Sequence, residues 1–364
     1  MTENKKNGEP VLRRFFDQFH PKDSLLIVTH DHPDPDSISS AAALNEIATV
    51  VGSAKTTIAY GGIIGRTENA HMVKYLKLKL RPIDRVRIQD YTYVALVDTQ
   101  PRTGNNSLPV DRIPDIVIDH HPMIKPTRKV PFADIRLEYG ATATIMTEYL
   151  FHFGLEIDRN LATALLYGIK SETQDLGRES YQIDTDCYLK LFPMANKKLL
   201  AKIVNSRVSR SYFEFLQDAI ENAQVIENTI VTRLGLVDNP DIIPEVADLM
   251  LRMQGTTWAF CAGQYKDALV LSIRTTNVRA NAGLIMKKIV KGKGSGGGHG
   301  LIAGGKVDVP NSEPWQIHDM ENELEGTFLK LIKRHDRPRT PLVGGDSDHK
   351  KKKGSKARSL VLVR

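Results

Sequence analysis

The sequence contains few cysteines and no long apolar run. Its two cysteines, Cys187 and Cys261, cannot by themselves form a disulfide framework or a zinc cluster, and we predict that both are buried thiols. No apolar run reaches the roughly 20 residues that span a bilayer. Residues 1–20 lack the uninterrupted apolar segment of a signal peptide. We therefore expect a soluble, cytoplasmic protein without membrane contact.

The net charge of +7 is concentrated at the C-terminal end. Residues 333–364 contain 11 Lys and Arg against 3 Asp, a net of +8, whereas the remainder carries 39 basic and 40 acidic side chains. This Pro-, Gly- and Lys-rich segment predicts a disordered basic tail, which is either a solubilising end or a weak tether for RNA. The near-neutral remainder favours a small substrate over a long duplex.

Ligand-type side chains follow directly after an apolar run near the N-terminus. Leu25–Val28 reads as a buried strand, and Ser37 or Ser39 is predicted to cap a helix that continues to about Val50. Between the strand and the helix lie five side chains of this type: His30, Asp31, His32, Asp34 and Asp36. In open α/β sheets, such strand ends are where ligands bind.

Two further apolar runs end in the same way. Tyr93–Val97 is followed by Asp98, and Ile113–Ile118 is followed by Asp119, His120 and His121. Predicted strands alternate with predicted helices, which indicates a mostly parallel sheet flanked by helices. Because parallel strands end at one edge of such a sheet, these side chains are expected to converge.

The domain organisation predicted from these patterns has four parts. Residues 1–200 form the metal-binding α/β domain, 201–225 a helical connector, 226–332 a smaller α/β domain and 333–364 the tail. In the smaller domain, the glycine-rich stretch 292–300 is predicted to be a loop whose backbone N–H groups can approach an anion.

The converging side chains have the composition of a metal centre. Oxygen ligands with some imidazole suit Mn²⁺, Mg²⁺, Zn²⁺ or Fe²⁺. Six ligands are too many for one catalytic ion and suit two ions, with Asp98 as the bridge. The predicted ligands are His30, Asp34, Asp36, Asp98, His120 and an acid near Glu172.

Five motifs in this order resemble a known family. They are His30–Asp36 (HDHPDPD), Val97-Asp98-Thr99, Asp119-His120-His121, Gly168–Thr173 and Gly296–His299 (GGGH). They resemble the DHH phosphoesterases that carry the DHH-associated C-terminal domain. Within this family, the chain resembles the short two-domain members, which are the oligoribonuclease and pAp phosphatase (nano-RNase) proteins. The resemblance spans about residues 20 to 310.

The resemblance implies a role for each position. His30 and Asp34 would hold one metal ion, Asp36, His120 and Glu172 the other, and Asp98 would bridge them. Asp119 would orient its neighbouring histidine, and His121 would face the scissile phosphate. The ions would be Mn²⁺, with Mg²⁺ as the alternative. A metal-activated hydroxide would attack phosphorus.

The resemblance also implies substrate-binding positions. The substrate phosphate would be bound by Arg102 in the first domain and by Arg274, Arg279, Gly297, Gly298 and His299 in the second. We expect a cleft between the domains that closes by a hinge motion.

Three residues depart from the family pattern. His32 replaces Asn, Pro35 replaces Gly, and Glu172 stands where the family usually has Asp. The extra methylene of Glu172 moves its carboxylate, so Asp175 is an alternative ligand at this position.

The function expected from these features is metal-dependent hydrolysis of short oligonucleotides or of 3′-phosphoadenosine 5′-phosphate (pAp). A cyclic dinucleotide phosphodiesterase is one alternative, and an inorganic pyrophosphatase or a single-strand exonuclease of the same superfamily is less favoured. From another class, a non-catalytic nucleotide or RNA binder would depend on the tail. The oligomeric state is open, with a homodimer as one possibility.

Overall fold

The computed structural model describes residues 8–20, 22–52 and 54–344. The chain divides into two compact units, Met1–Arg207 and Val208–Arg364. This division lies within the stretch predicted as the connector, and the two units are described separately below. None of the helices within the described ranges is long and apolar enough to cross a membrane.

The first unit contains a six-stranded, all-parallel sheet in the order β3-β2-β1-β4-β5-β6. Its strands are β1 (Ser24–Val28), β2 (Lys55–Tyr60), β3 (Leu80–Pro82), β4 (Tyr93–Val97), β5 (Ile116–Asp119) and β6 (Phe132–Ile135). Its α-helices are α1 (Gly8–Phe16), α2 (Pro35–Val50), α3 (Thr67–Tyr75), α4 (Thr142–His152), α5 (Arg159–Glu172), α6 (Gln182–Leu191) and α7 (Lys197–Val204). The predicted fold class is confirmed.

Both faces of this sheet are buried, as the apolar strands predict. Leu25 and Ile27 of β1 pack in the large core with the helices. Leu26 and Val28 point to the opposite face, where Leu108 and Val130 of the long crossover loops cover the sheet. Because successive side chains point to opposite faces, this four-residue apolar run contributes to the core on each side of the sheet.

The second unit contains a seven-stranded sheet in the order β11-β12-β10-β9-β8-β7-β13, in which only β8 and β9 pair in parallel. Its strands are β7 (Gln224–Ile226), β8 (Thr229–Leu236), β9 (Trp258–Tyr265), β10 (Ala268–Thr275), β11 (Gly294–His299), β12 (Ile302–Asp308) and β13 (Thr340–Pro341). Its helices are α8 (Arg210–Glu221), α9 (Ile242–Leu251), α10 (Ala282–Ile289) and α11 (Pro314–Leu331).

The glycine-rich stretch was predicted to be a loop, and this prediction is wrong. Residues Gly294–His299 form β11, an edge strand that pairs with β12. Glycine allows helix α10 to pack closely here: a Cβ on Gly296 would lie 2.8 Å from Cγ of Met286, and one on Gly283 would lie 2.0 Å from the carbonyl oxygen of Gly298. Close packing of the helix against the strand backbone therefore explains why glycine occupies these positions.

The predicted helical connector, residues 201–225, contains the end of α7, the whole of α8 and the start of β7. The predicted tail needs correction. Residues 333–344, predicted as the start of the disordered tail, pack on the second unit through β13, whose pairing with β7 extends the sheet. The remaining residues 345–364 lie outside the described residues.

Candidate metal centre

His30 and Asp34 are placed by the end of β1 and the start of α2. Asp34, rather than the predicted serines, is the N-cap of α2, and its Oδ1 accepts the backbone N–H of Ser37 at 3.0 Å. The Nδ1 of His30 lies 2.9 Å from the carbonyl oxygen of Asp31, so Nδ1 donates and Nε2 points into the site. Nε2 lies 3.5 Å from Oδ1 of Asp34.

The charge of Asp34 changes the titration of His30. Burial alone would lower the pKa of His30, but the neighbouring Asp34 carboxylate outweighs it and raises that pKa to about 9. A metal ion held at Nε2 would compete with a proton for this nitrogen.

Asp98 lies directly after β4 in a left-handed backbone conformation, with φ of +60°. This conformation is rare for residues other than glycine and is typical of strained functional positions. The buried carboxylate faces an imidazole on each side: Oδ2 lies 3.7 Å from Nε2 of His30, and Oδ1 lies 3.7 Å from Nε2 of His120. The hydroxyl of Thr142 donates to Oδ1 at 2.8 Å. One carboxylate is thus shared between two groups of donors.

The triplet at the end of β5 presents its two histidines differently. Nδ1 of His120 lies 3.2 Å from the carbonyl oxygen of Tyr139, which leaves Nε2 to face Asp98. Nδ1 of His121 lies 2.8 Å from Oδ1 of Asp119, and Gln100 donates from Nε2 to Oδ2 of Asp119 at 2.8 Å. Burial acts to lower the pKa of His121, but Asp119 stabilises the protonated ring more strongly. The net effect is a raised pKa. Asp119 therefore orients His121.

Asp36 lies in the first turn of α2 and is buried. Its two carboxylate oxygens accept the backbone N–H groups of Thr142 and Ala143 at 2.8 and 2.7 Å, at the N-terminus of α4. Burial, followed by the charges of Asp34 and Glu172, raises the pKa of Asp36. The positive end of α4 offsets part of this repulsion.

Glu172 and Asp175 differ clearly in their surroundings. Glu172 is the last residue of α5, and burial raises its pKa, as does the nearby Asp34. The Asp175 side chain is 71% exposed and pairs with Lys170. The charges of Asp34, His121 and His30 all act on the carboxylate of Glu172, which places it beside the cluster. Its position depends on Gly168, where a Cβ would lie 2.3 Å from Oγ of Ser39 in α2.

The residues present fit a pair of divalent ions. Two groups of donor atoms, each within 4.8 Å of one another, occur among the described residues, and Asp98 belongs to both. One group is His30, Asp34 and Asp98; the other is Asp98, Asp119, His120 and His121. Carboxylate and imidazole donors of this kind suit Mn²⁺ and related ions. Asp36 and Glu172 do not belong to either group, and as ligands they remain predictions.

The predicted substrate-binding arginine of the first unit lies in a surface loop. Arg102 is exposed, and its Nε donates to the carbonyl oxygen of Val110 at 3.2 Å. It lines a cavity of about 240 Å³ together with Lys125 and Lys129. Its role in substrate binding remains a prediction.

The substrate-binding positions of the second unit have different environments. Arg274 is buried, and its guanidinium bonds to Asp248, to Oγ of Ser272 at 2.9 Å and to the carbonyl oxygen of Ile273. Arg279 is exposed. Gly297, Gly298 and His299 belong to β11. Their role in substrate binding remains a prediction.

Sequence reasoning missed three residues that hold the site together. Thr142 and Tyr139 bond to the predicted ligands from a segment with no ligand-type pattern. Gln100 could have been noticed from its position, because it lies two residues after Asp98 at the end of a predicted strand. Its side chain also accepts from the backbone N–H of Ile124 at 3.0 Å.

Comparison with known sequences assigns the family. The sequence model of the DHH family, N-terminal domain, matches residues 24–169, and that of the DHHA1 domain matches residues 227–326. The chain belongs to the DHH family. The two DHH matches cover about two thirds of the chain and confirm the family predicted from the motifs.

Similar proteins extend this result. An uncharacterized protein of Methanocaldococcus jannaschii is 38% identical over 291 residues, which are 79% of this chain but only 59% of that protein. A probable manganese-dependent inorganic pyrophosphatase of Bacillus licheniformis is 27% identical, over 61% of this chain and 76% of its own length. The crystal structure of an exopolyphosphatase-related protein from Bacteroides fragilis shares the fold, with a TM-score of 0.67 and 15% identity over 90% of this chain and 97% of its own.

Proposed function

We propose that this DHH protein is a manganese-dependent phosphoesterase that hydrolyses short oligonucleotides or pAp. The observation that carries the proposal is the carboxylate of Asp98, whose two oxygens face the imidazoles of His30 and His120. A shared carboxylate between two groups of nitrogen and oxygen donors is the arrangement expected of two-metal phosphoester hydrolysis. The manganese-dependent Bacillus relative supports the choice of ion.

Residues of the first unit would hold the ions. His30, Asp34 and Asp98 would bind one, and His120, Asp98, Asp36 and Glu172 the other. When bound, two divalent ions supply Lewis acidity and lower the pKa of water to near neutral. The chain's own contribution is to fix these donors on rigid strand ends and helix termini, so that little reorganisation is needed during the reaction.

His121 would act on the substrate itself. Its Nδ1 is held by Asp119 at 2.8 Å, and its side chain is 35% exposed. Burial acts to lower the pKa of His121, but Asp119 raises it, which favours the protonated ring. The imidazolium would offset negative charge on the phosphate and donate its Nε2 proton to the leaving oxygen.

The substrate-binding assignment rests on family resemblance. Arg102 of the first unit and five positions of the second would bind phosphate groups: Arg274, Arg279, Gly297, Gly298 and His299. A cytoplasmic location, the homodimer and contact of the basic tail with RNA belong to the same proposal.

A second candidate is hydrolysis of inorganic pyrophosphate. It is favoured by the 27% identity to the probable manganese-dependent pyrophosphatase of Bacillus licheniformis. The same metal centre would serve both reactions, so only the substrate assay separates them.

The test is product release from four substrates: pAp, a 5′-phosphorylated diribonucleotide, cyclic di-AMP and pyrophosphate. Each is assayed with Mn²⁺ and with EDTA, using the wild type, Asp98→Asn and Asp111→Asn, whose exposed loop position makes it the matched control. We expect Mn²⁺-dependent turnover of pAp or the dinucleotide that is lost in Asp98→Asn and retained in Asp111→Asn.

Other outcomes reject the proposal in defined ways. Turnover of pyrophosphate or cyclic di-AMP alone keeps the metal centre and replaces the substrate. No turnover of any substrate by a manganese-loaded protein supports the non-catalytic binder. In that case, deletion of residues 345–364 abolishes nucleotide binding, whereas it leaves an enzyme acting on a dinucleotide unchanged.

A further inference from the structure

Arg178 is a buried cation beside the candidate metal centre that none of the predicted roles uses. Its side chain is 15% exposed. Nη2 donates to the carbonyl oxygen of Glu172 at 3.2 Å. Nε is fully buried and has no hydrogen-bond acceptor within the described parts of the chain.

A buried guanidinium N–H without an acceptor is unfavourable. Arginine stays charged in proteins, and burial of a donor without a partner loses the hydrogen bond that it makes with water. Nε and Nη2 lie on one edge of the guanidinium, and this planar fork matches two oxygens of a phosphate. The unused donor therefore predicts an anionic ligand.

Charge neutralisation of Glu172 does not explain this geometry. The distance from Nη2 to Oε1 of Glu172 is 3.8 Å, which is too long for a hydrogen bond. The guanidinium bonds through Nη2 to the backbone carbonyl of Glu172 and leaves Nε without an acceptor among the described residues. A dedicated ion pair would direct the fork at the carboxylate.

The turn that carries Arg178 is firmly held. Three consecutive residues, Gln174–Leu176, have positive φ angles, and the backbone N–H of Arg178 donates to the carbonyl oxygen of Thr173 at 2.9 Å. Gly140 packs against this turn, where a Cβ would lie 2.7 Å from the carbonyl oxygen of Glu179. These contacts fix the backbone from which the Arg178 side chain extends.

The same packing joins the turn to the metal centre. Gly140 lies two residues before Thr142, whose hydroxyl donates to Asp98 and whose N–H donates to Asp36. The buried carboxylate of Asp184 accepts both the N–H of Gly140 and the N–H of Tyr181, at 2.8 Å each. One set of hydrogen bonds thus positions the bridging carboxylate and the turn of Arg178 together.

From this geometry we infer that Arg178 binds a phosphoryl oxygen of the substrate through its Nε and Nη2 edge. The ligand class is a phosphate monoester or diester held at the metal centre of the first unit. This inference rests on the proposed function and adds to it a residue that selects for the phosphoryl group.

The experiment measures binding of inorganic phosphate to the full-length, Mn²⁺-saturated protein by titration calorimetry. The variants are Arg178→Gln, Arg178→Lys and Arg159→Gln, an exposed arginine at the opposite end of α5. We expect Arg178→Gln to weaken phosphate binding about 10- to 100-fold. Arg178→Lys should retain part of the affinity that Arg178→Gln loses, and Arg159→Gln should bind phosphate as the wild type does. The KM of any turned-over substrate should rise with the phosphate Kd.

A separate readout distinguishes a structural role. Mn²⁺ binding, followed by electron paramagnetic resonance, should not weaken in Arg178→Gln, because the loss of a positive charge near the site does not reduce its attraction for a cation. Unchanged phosphate affinity overturns the inference, since water would then satisfy Nε. A loss of phosphate affinity that appears only when Mn²⁺ is below saturation also overturns it. If no substrate is turned over but Arg178→Gln still loses phosphate, the proposed function fails while the inference stands.

Discussion

Replacement of Gly168 by alanine should disturb the metal centre from a distance. A Cβ at this position would lie 2.3 Å from Oγ of Ser39, 3.1 Å from Cβ of Ala143 and 3.1 Å from the carbonyl oxygen of Pro35. Ordinary contacts of this kind are 3.4–4 Å. Unless the Ser39 hydroxyl turns away and gives up its bond to the carbonyl oxygen of Asp36, helix α5 must move away from α2 by roughly 1 Å, and it carries Glu172 one turn later.

Two effects of different size should follow from Gly168→Ala. Overpacking of this kind lowers the free energy of unfolding by about 1–3 kcal/mol. A misplacement of about 1 Å at a catalytic centre lowers turnover on the order of 100-fold. Activity should thus fall far more than stability alone explains. Ser39→Ala in the same chain should recover part of both losses, because it removes the closest contact.

The assay is urea unfolding together with Mn²⁺-dependent turnover. Both tryptophans, Trp258 and Trp315, belong to the second unit, so their fluorescence provides an internal reference. Gly168→Ala should lower the urea concentration at the midpoint of the transition followed by far-ultraviolet circular dichroism. The midpoint followed by tryptophan fluorescence should not change. The control is Gly326→Ala in α11, where a Cβ would meet no atom within 4 Å. This substitution should stabilise the helix by about 0.5–1 kcal/mol, because alanine has a higher helix propensity than glycine. A Gly168→Ala protein with wild-type stability and turnover would refute the reasoning.

Three further predictions concern single side chains. Gln100→Leu should lower the free energy of unfolding by about 1–3 kcal/mol in urea titrations, because its buried hydrogen-bond partners lose their amide; unchanged stability would contradict this. Glu172→Gln should weaken Mn²⁺ binding measured by calorimetry, whereas the exposed Asp175→Asn should not, and the reverse order would make Asp175 the ligand. Burial raises the pKa of Cys187 to about 12 and also that of Cys261, so neither thiol should react with a maleimide at neutral pH until the protein is denatured; rapid labelling of the native protein would show exposure.

Local pattern predicted the first sheet well. Apolar runs such as Leu25–Val28 and Tyr93–Val97 became strands with the predicted bounds or within one residue of them. Such runs are readable because both faces of a parallel strand are buried, so hydrophobicity is continuous. The short strands β3 and β6 were missed, because three- and four-residue segments with charged or polar members give little local signal.

The second unit shows where local reasoning ends. The glycines of β11 have low intrinsic strand preference, and a loop is the better local prediction. Pairing with β12 and contact with Met286 of α10 made this segment a strand. Only Gly300 and Leu301 separate the two strands, so the pairing is close in the sequence, but a run of glycines carries no alternating hydrophobic pattern that would predict it.

The sequence by itself determined the chemistry of the candidate site and the edge of the sheet at which it lies. Histidines and carboxylates directly after apolar runs are a local pattern, and parallel strands bring their ends to one edge. The tertiary structure decided how these groups are arranged. It placed Asp98 between two imidazoles, favoured Glu172 over Asp175 and set Arg178 beside the carboxylates. These outcomes depend on close packing of α5 against α2 and on hydrogen bonds from the start of α4, which are contacts between residues far apart in the chain.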